Sequence, residues 1–137
     1  MRLMSRERIE MHSLQAMIDG MNTHSQRERA KTQMTLGKMI EALQAMPSDA
    51  VIKGICYPHS YRGYYSDLAF EPAAQDIKAS EALMMCRDVM GKVFDGYKGG
   101  DYVMGALTPL WLANYGYCGR KIMGIHSDGV LITAEDD

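Results

Sequence analysis

No stretch of the chain approaches the roughly 18 consecutive apolar residues that a membrane span needs. Near the start, Arg2, Arg6 and Arg8 alternate with Glu7 and Glu10, which leaves no apolar signal-peptide core. Cysteine is scarce: Cys56, Cys86 and Cys118 are widely spaced, odd in number and without a C-x-x-C pair, which argues against a disulfide framework and fits a reducing cytoplasm. Basic excess is missing too. The formal net charge is −2, whereas duplex DNA calls for a basic face. The sequence has no G-x-x-x-x-G-K-[ST], no G-x-G-x-x-G and no G-x-S-x-G, so the common phosphate-cradling and nucleophile-elbow signatures are absent. It also has no internal repeat and no low-complexity tract.

What is present suits one domain. A chain of 137 residues that is 47% apolar can bury a core without disulfides or a structural metal. Some of its 13 methionines serve as flexible core filler. Leu3, Ile9, Leu14, Met17, Ile18 and Met21 recur at roughly helical spacing and predict a helix over 3–22. Asn22 to Gln33 is polar and reads as a linker or a frayed extension of that helix. Thr35 caps a second helix carrying Leu36, Met39, Ile40 and Leu43, which Pro47-Ser48-Asp49 ends. Val51 to Tyr57 predicts a strand, Pro58 to Gly63 a loop and Tyr64 to Phe70 a strand, together an antiparallel hairpin. Pro72 to Ala79 connects to a third helix over about 81–91, with Ser80 as its cap and Gly91 as its stop. Tyr102–Met104, Leu110–Ala113, Lys121–His126 and Val130–Thr133 read as short strands, the last two joined by a turn at Ser127-Asp128-Gly129. The expected fold is α+β: a mostly antiparallel sheet of about five or six strands, two helices on one face and an N-terminal helical extension. The expected divisions are an extension over 1–33, a ligand-binding domain over 34–133 and an acidic, disordered tail over 134–137.

All eight tyrosines fall between Tyr57 and Tyr117. Three segments hold the pattern: Tyr61-Arg62-Gly63-Tyr64-Tyr65, Gly96 to Tyr102, and Trp111 to Tyr117. Arg62 and Lys98 lie among the tyrosines, and Arg120 lies just beyond the last. This combination suits nucleotides. Aromatic faces stack bases, a guanidinium fork grips phosphate, glycines let backbone N–H groups approach it, and an Asn reads a base edge or a ribose hydroxyl. The plainer reading is that tyrosines populate half-buried sheets and glycine pairs populate turns. Catalytic constellations are weaker. Cys56 and His59 form one C-x-x-H pair without a second, a poor zinc site. Cys118 stands near Arg120, which would favour its thiolate, yet no spacing pairs it with His59 or His126 as a base. Asp67 and Glu71 are isolated in sequence.

The strings from Ser60 to Phe70, Gly96 to Tyr102 and Thr108 to Gly116, with the opening Met34-Thr35-Leu36-Gly37-Lys38-Met39-Ile40-Glu41-Ala42-Leu43, resemble a family of small phage and prophage proteins over about residues 34–133. That family is the first-described type of Thoeris anti-defence sponge. The resemblance implies a protein that binds cyclic ADP-ribose isomers made by bacterial TIR enzymes and sequesters them without cleavage. Some members of the family also hold cyclic oligonucleotides at separate sites. It further implies a dimer or hexamer in the cytoplasm of an infected bacterium, with no cofactor and no metal. Arg62, Asn114 and the nearby aromatics map onto the ligand-contacting motifs. The expected binding residues are Ser60, Tyr61, Arg62, Tyr64, Tyr97, Lys98, Trp111, Asn114, Tyr115 and Arg120. Arg62 and Lys98 are assigned to phosphate, and Tyr61, Tyr64, Tyr97, Trp111 or Tyr115 to the base. The alternatives are a nucleotide-processing enzyme using Cys118 or a histidine, and a protein-interaction module that inhibits a host defence complex.

Overall fold

The computed structural model describes residues 24–95 and 101–136. The expected helix over 3–22, and Tyr97 and Lys98, lie outside the described residues. In chain order the elements are α1 (24–30), α2 (Leu36–Gln44), β1 (Val51–Ile52), β2 (Ile55–Tyr61), β3 (Tyr64–Pro72), β4 (Ile77–Lys78), α3 (Ala79–Val89), β5 (Val93–Asp95), β6 (Asp101–Val103), β7 (Leu110–Leu112), β8 (Arg120–Ile125) and β9 (Leu131–Ala134). The main sheet has five strands in the order β2-β3-β7-β8-β9. Its pairs are antiparallel except β3–β7, which is parallel. A parallel pair needs a long crossover, and here α3 and the β5–β6 ribbon lie in that connection. The fold is the expected α+β arrangement, with a mixed, mostly antiparallel sheet.

Side-chain alternation along β3 separates two environments. Leu68 and Phe70 face the helices. They bury with Leu36, Met39 and Leu43 of α2 and with Ala82, Cys86 and Val89 of α3. Each such large apolar side chain contributes on the order of 1.5–3 kcal/mol through burial. Ala69 faces the other way and buries with Tyr61, Trp111 and Ala113.

Local chemistry explains the element ends. Thr35 caps α2 by accepting the Lys38 N–H, as the sequence expects. Ser80 does not cap α3. That helix begins at Ala79, because the Ala79 and Ser80 N–H groups donate to the carbonyls of Ala50 and Ser48. A backbone turn supplies the acceptors that a capping side chain would have supplied. Gly91 follows α3 with φ +80°, the left-handed conformation of a helix stop.

The hairpin differs from expectation. The strand read over 51–57 divides into β1 and β2, and the loop read over 58–63 is strand as far as Tyr61, leaving a two-residue turn at Arg62-Gly63. Pro58 is tolerated because β2 is an edge strand, where a missing N–H breaks no ladder on the open side. A bulge sits between Cys56 and Pro58, and Tyr57 occupies it at φ +37°. The short strands β4 and β5 were not read from the sequence.

The polar stretch 22–33, read as a linker or a frayed helical extension, is helical over 24–30 in its described part. After it the chain crosses the sheet end. The Met34 N–H donates to the Ile122 carbonyl at 2.8 Å, and the Met34 carbonyl accepts the Leu110 N–H at 2.9 Å. In the acidic tail, Ala134 completes β9, and Glu135 and Asp136 pair with Arg120 and Lys121 at 3.5 and 3.7 Å. Among the described residues no helix is long and apolar enough to cross a membrane.

Candidate functional site

The sheet face opposite α2 and α3 is built around a buried charge. Asp67 is fully buried. Such a group is tolerated only when paired and hydrogen-bonded. Arg29 of α1 supplies a two-pronged partner, Nε to Oδ2 at 2.7 Å and Nη2 to Oδ1 at 2.9 Å. The Trp111 indole Nε1–H donates to the same Oδ2 at 2.9 Å. The Arg29 guanidinium lies 3.8 Å from the Tyr64 ring centroid, close enough for a cation–aromatic contact. Gln26 donates to the Ser66 carbonyl at 2.8 Å and fixes α1 one helical turn earlier.

Trp111 and Tyr61 stack at 4.1 Å with planes 6° apart. Both are buried, so they form the floor of the face. Neither offers an open ring surface of the kind that direct stacking of a base requires. The Tyr61 hydroxyl accepts the Gly119 N–H at 3.0 Å, and burial pushes its phenol pKa up to about 12. Gly119 has no room for a side chain: a Cβ there would overlap the Leu112 carbonyl oxygen and Ala113.

From this floor rises the loop over 113–119, fastened at several points to β2, β3 and their turn. Arg62 Nη1 donates to the Gly116 carbonyl at 2.7 Å. The Tyr115 N–H donates to Glu71 Oε1 at 3.0 Å, and the Tyr117 N–H to the Asn114 carbonyl at 3.0 Å. His59 Nε2 lies 3.0 Å from the Ala113 carbonyl and Nδ1 lies 3.0 Å from the Ser60 carbonyl. A neutral ring donates to one of these and an imidazolium to both. The His59 ring also meets Tyr115 edge-on at 5.5 Å. Among the described residues the exposed tyrosines are Tyr57 (74% exposed), Tyr64 (39%), Tyr115 (75%) and Tyr117 (68%).

The structure therefore brings together the first and third of the tyrosine segments. Ser60, Tyr61, Arg62, Tyr64, Trp111, Asn114 and Tyr115 all belong to β2, β3, β7 or their adjoining loops. Ser60 has a structural role: its hydroxyl donates to the Tyr65 carbonyl within the hairpin. Arg120 is committed to β9, donating from Nε to Thr133 Oγ1 at 3.0 Å. The described end of the second segment lies elsewhere, since Tyr102 packs against the core beneath the helices. Three residues of this region escaped the sequence reading of the site. Arg29 sits in the polar stretch read as a linker or a frayed helical extension. Asp67 has no acidic or basic neighbour in sequence to mark it. Tyr57 is the first of the eight tyrosines and stands in the bulge, where a non-glycine residue at positive φ is uncommon.

Electrostatics divides the surface. A depression of about 470 Å³ is lined by Tyr61, Gly63, Tyr64, Cys118, Gly119, Glu135 and Asp136. Its two carboxylates disfavour an anion there. The Arg62 guanidinium, exposed in the turn, is the cation fastened to the loop that carries Tyr115 and Tyr117. Among the described residues no group of three His, Cys, Asp or Glu side chains is placed to hold a metal ion. Cys56 lies opposite Glu71 in the hairpin, and burial followed by the Glu71 charge raises its thiol pKa. No family model matches the chain, and neither does any curated protein or solved structure.

Proposed function

We propose that the face made by the Arg62-Gly63 turn and the 113–119 loop binds a cyclic nucleotide signal, a cyclic ADP-ribose isomer, and sequesters it without cleaving it. The observation that carries this reading is the 2.7 Å contact from Arg62 to the Gly116 carbonyl, which joins two aromatic segments distant in sequence into one surface. Tyr115 presents an open ring for the base, a stack worth roughly 1–3 kcal/mol, whereas Arg29 already covers one face of Tyr64. Arg62 keeps further N–H donors for phosphate after serving Gly116. Asn114, exposed at the head of the loop, hydrogen-bonds ribose or base. Trp111 and Tyr61 hold the floor rigid, so that little ordering cost opposes binding. A homo-oligomer, dimer or hexamer, would wall the open side of this surface. The setting is the cytoplasm of an infected bacterium, with the protein acting as a phage counter-defence factor.

The test is calorimetric titration with cyclic ADP-ribose isomers, followed by heating the complex and recovering the ligand for mass spectrometry. The expected result is tight binding, an intact ligand and at least about a tenfold loss of affinity in Arg62→Ala, the effect of removing one charge-assisted contact of about 1.4 kcal/mol or more. Absence of binding, or recovery of a hydrolysed ligand, would overturn the proposal. A hydrolysed ligand would instead favour an enzyme, with the exposed Cys118 thiol at the depression as its first candidate nucleophile.

A further inference from the structure

We infer that Arg29, on the helix preceding the sheet, is a positioning residue for this binding face. It acts through a continuous line of contacts. Arg29 grips both oxygens of the buried Asp67, and Asp67 accepts the Trp111 indole N–H. Trp111 stacks on Tyr61, and the Tyr61 hydroxyl accepts the Gly119 N–H at the far end of the 113–119 loop. By a second branch the same guanidinium lies on the Tyr64 ring and fixes its orientation. Every junction is a directional hydrogen bond or a ring contact, so a shift at α1 reaches the loop without passing through the helix-side core. Only an arginine does this. Its planar fork matches a carboxylate with two N–H donors and at the same time presents a flat face to an aromatic ring, whereas a lysine offers a single ammonium point. The helix α1 is thereby part of the binding face and not an appendage to it.

Only the last step of this inference rests on the proposed function. The experiment separates the two and uses the full chain. Hydrogen exchange is measured at the amides of Tyr115, Tyr117 and Gly119 in the wild type, in Arg29→Lys and in Leu43→Val. Leu43 is buried on α2 against the other side of the sheet, so Leu43→Val weakens the fold without touching the Arg29 line. In Arg29→Lys the loop amides should exchange about tenfold faster or more, the sign of a local opening. In Leu43→Val they should stay within about twofold of wild type. Equal acceleration in both variants would reduce Arg29 to a general stabiliser, and no acceleration in Arg29→Lys would break the line; either result overturns the inference. Where the wild type binds a cyclic ADP-ribose isomer, Arg29→Lys should also lose affinity while Leu43→Val keeps it, and retained affinity in Arg29→Lys would overturn the positioning role. Where the wild type binds none, the proposed function fails and the exchange rates alone decide the role of Arg29.

Discussion

Replacing Arg29 by alanine removes the partner of a carboxylate that has no access to water. Breaking a buried ion pair from one side costs about 3–5 kcal/mol, because the remaining charge is left uncompensated. Two features place this case at the low end of that range. The Arg29 side chain is 13% exposed, against 0% for Asp67, and Asp67 keeps the Trp111 N–H and the Ser66 hydroxyl as donors. Loss of the cation–aromatic contact with Tyr64 contributes about 0.5–1 kcal/mol within the total. A loss of about 3 kcal/mol at this chain length lowers the thermal midpoint by about 12 °C, taking about 4 °C per kcal/mol. The assay is thermal unfolding followed by circular dichroism and by Trp111, the only tryptophan of the chain. A companion variant, Arg29→Met with Asp67→Leu, removes both charges. It should sit only about 1–2 kcal/mol below wild type, the cost of leaving the Trp111 N–H without an acceptor. A loss below about 1 kcal/mol in Arg29→Ala, or a double variant less stable than the single one, would refute the reasoning about the buried charge.

Three further outcomes are expected. Tyr57→Asn should raise stability by about 0.5–1 kcal/mol, because asparagine tolerates the left-handed backbone that costs other residues roughly 1–2 kcal/mol, and an unchanged or lowered midpoint would show that the bulge is unstrained. Gly119→Ala should weaken the fold and shift Trp111 fluorescence, since a methyl group there meets the Leu112 carbonyl; wild-type stability and spectrum would contradict the close packing. Alkali should destabilise the protein from about pH 9 upward. Burial raises Cys86 from 9.0 to about 12 and Tyr61 from 10.0 to about 12, so in that window the unfolded chain releases protons that the folded chain retains. The sign of the linkage makes stability fall as pH rises, at up to about 1.4 kcal/mol per pH unit for each group. A flat unfolding free energy between about pH 9 and 11, the lower part of this window, would contradict it.

Elements whose chemistry is local were legible in the sequence. The second helix announces itself through Thr35 and the apolar spacing of Leu36, Met39 and Leu43, and all of these act as that pattern implies. The β2–β3 hairpin was visible but its turn was misplaced, because Pro58 reads as a strand breaker unless the strand is known to lie at an edge. The start of α3 lies two residues earlier than expected, its cap at Lys78 and not Ser80, because its acceptors come from the Ser48 and Ala50 backbone, which leaves no mark in composition. The candidate site was legible only as a crowding of tyrosines and glycines. Which aromatic residues are floor and which are rim depends on which face of β2, β3 and β7 they occupy within a sheet whose order is not sequential. The Arg29–Asp67 pair joins residues 38 apart, so neither residue signals the other.

The bulge at Tyr57 and the proline beside it have a bearing on solubility as well as on the site. An edge strand of seven residues offers a row of unpaired backbone groups to any passing chain. Pro58 removes one donor from that row, and the bulge bends the strand away from the flat geometry that edge-to-edge aggregation needs. At the opposite edge β9 is only four residues long and is followed at once by Glu135 and Asp136, a short strand with an acidic end. Both edges of the described sheet thus carry, by different means, features that disfavour amyloid-like strand addition.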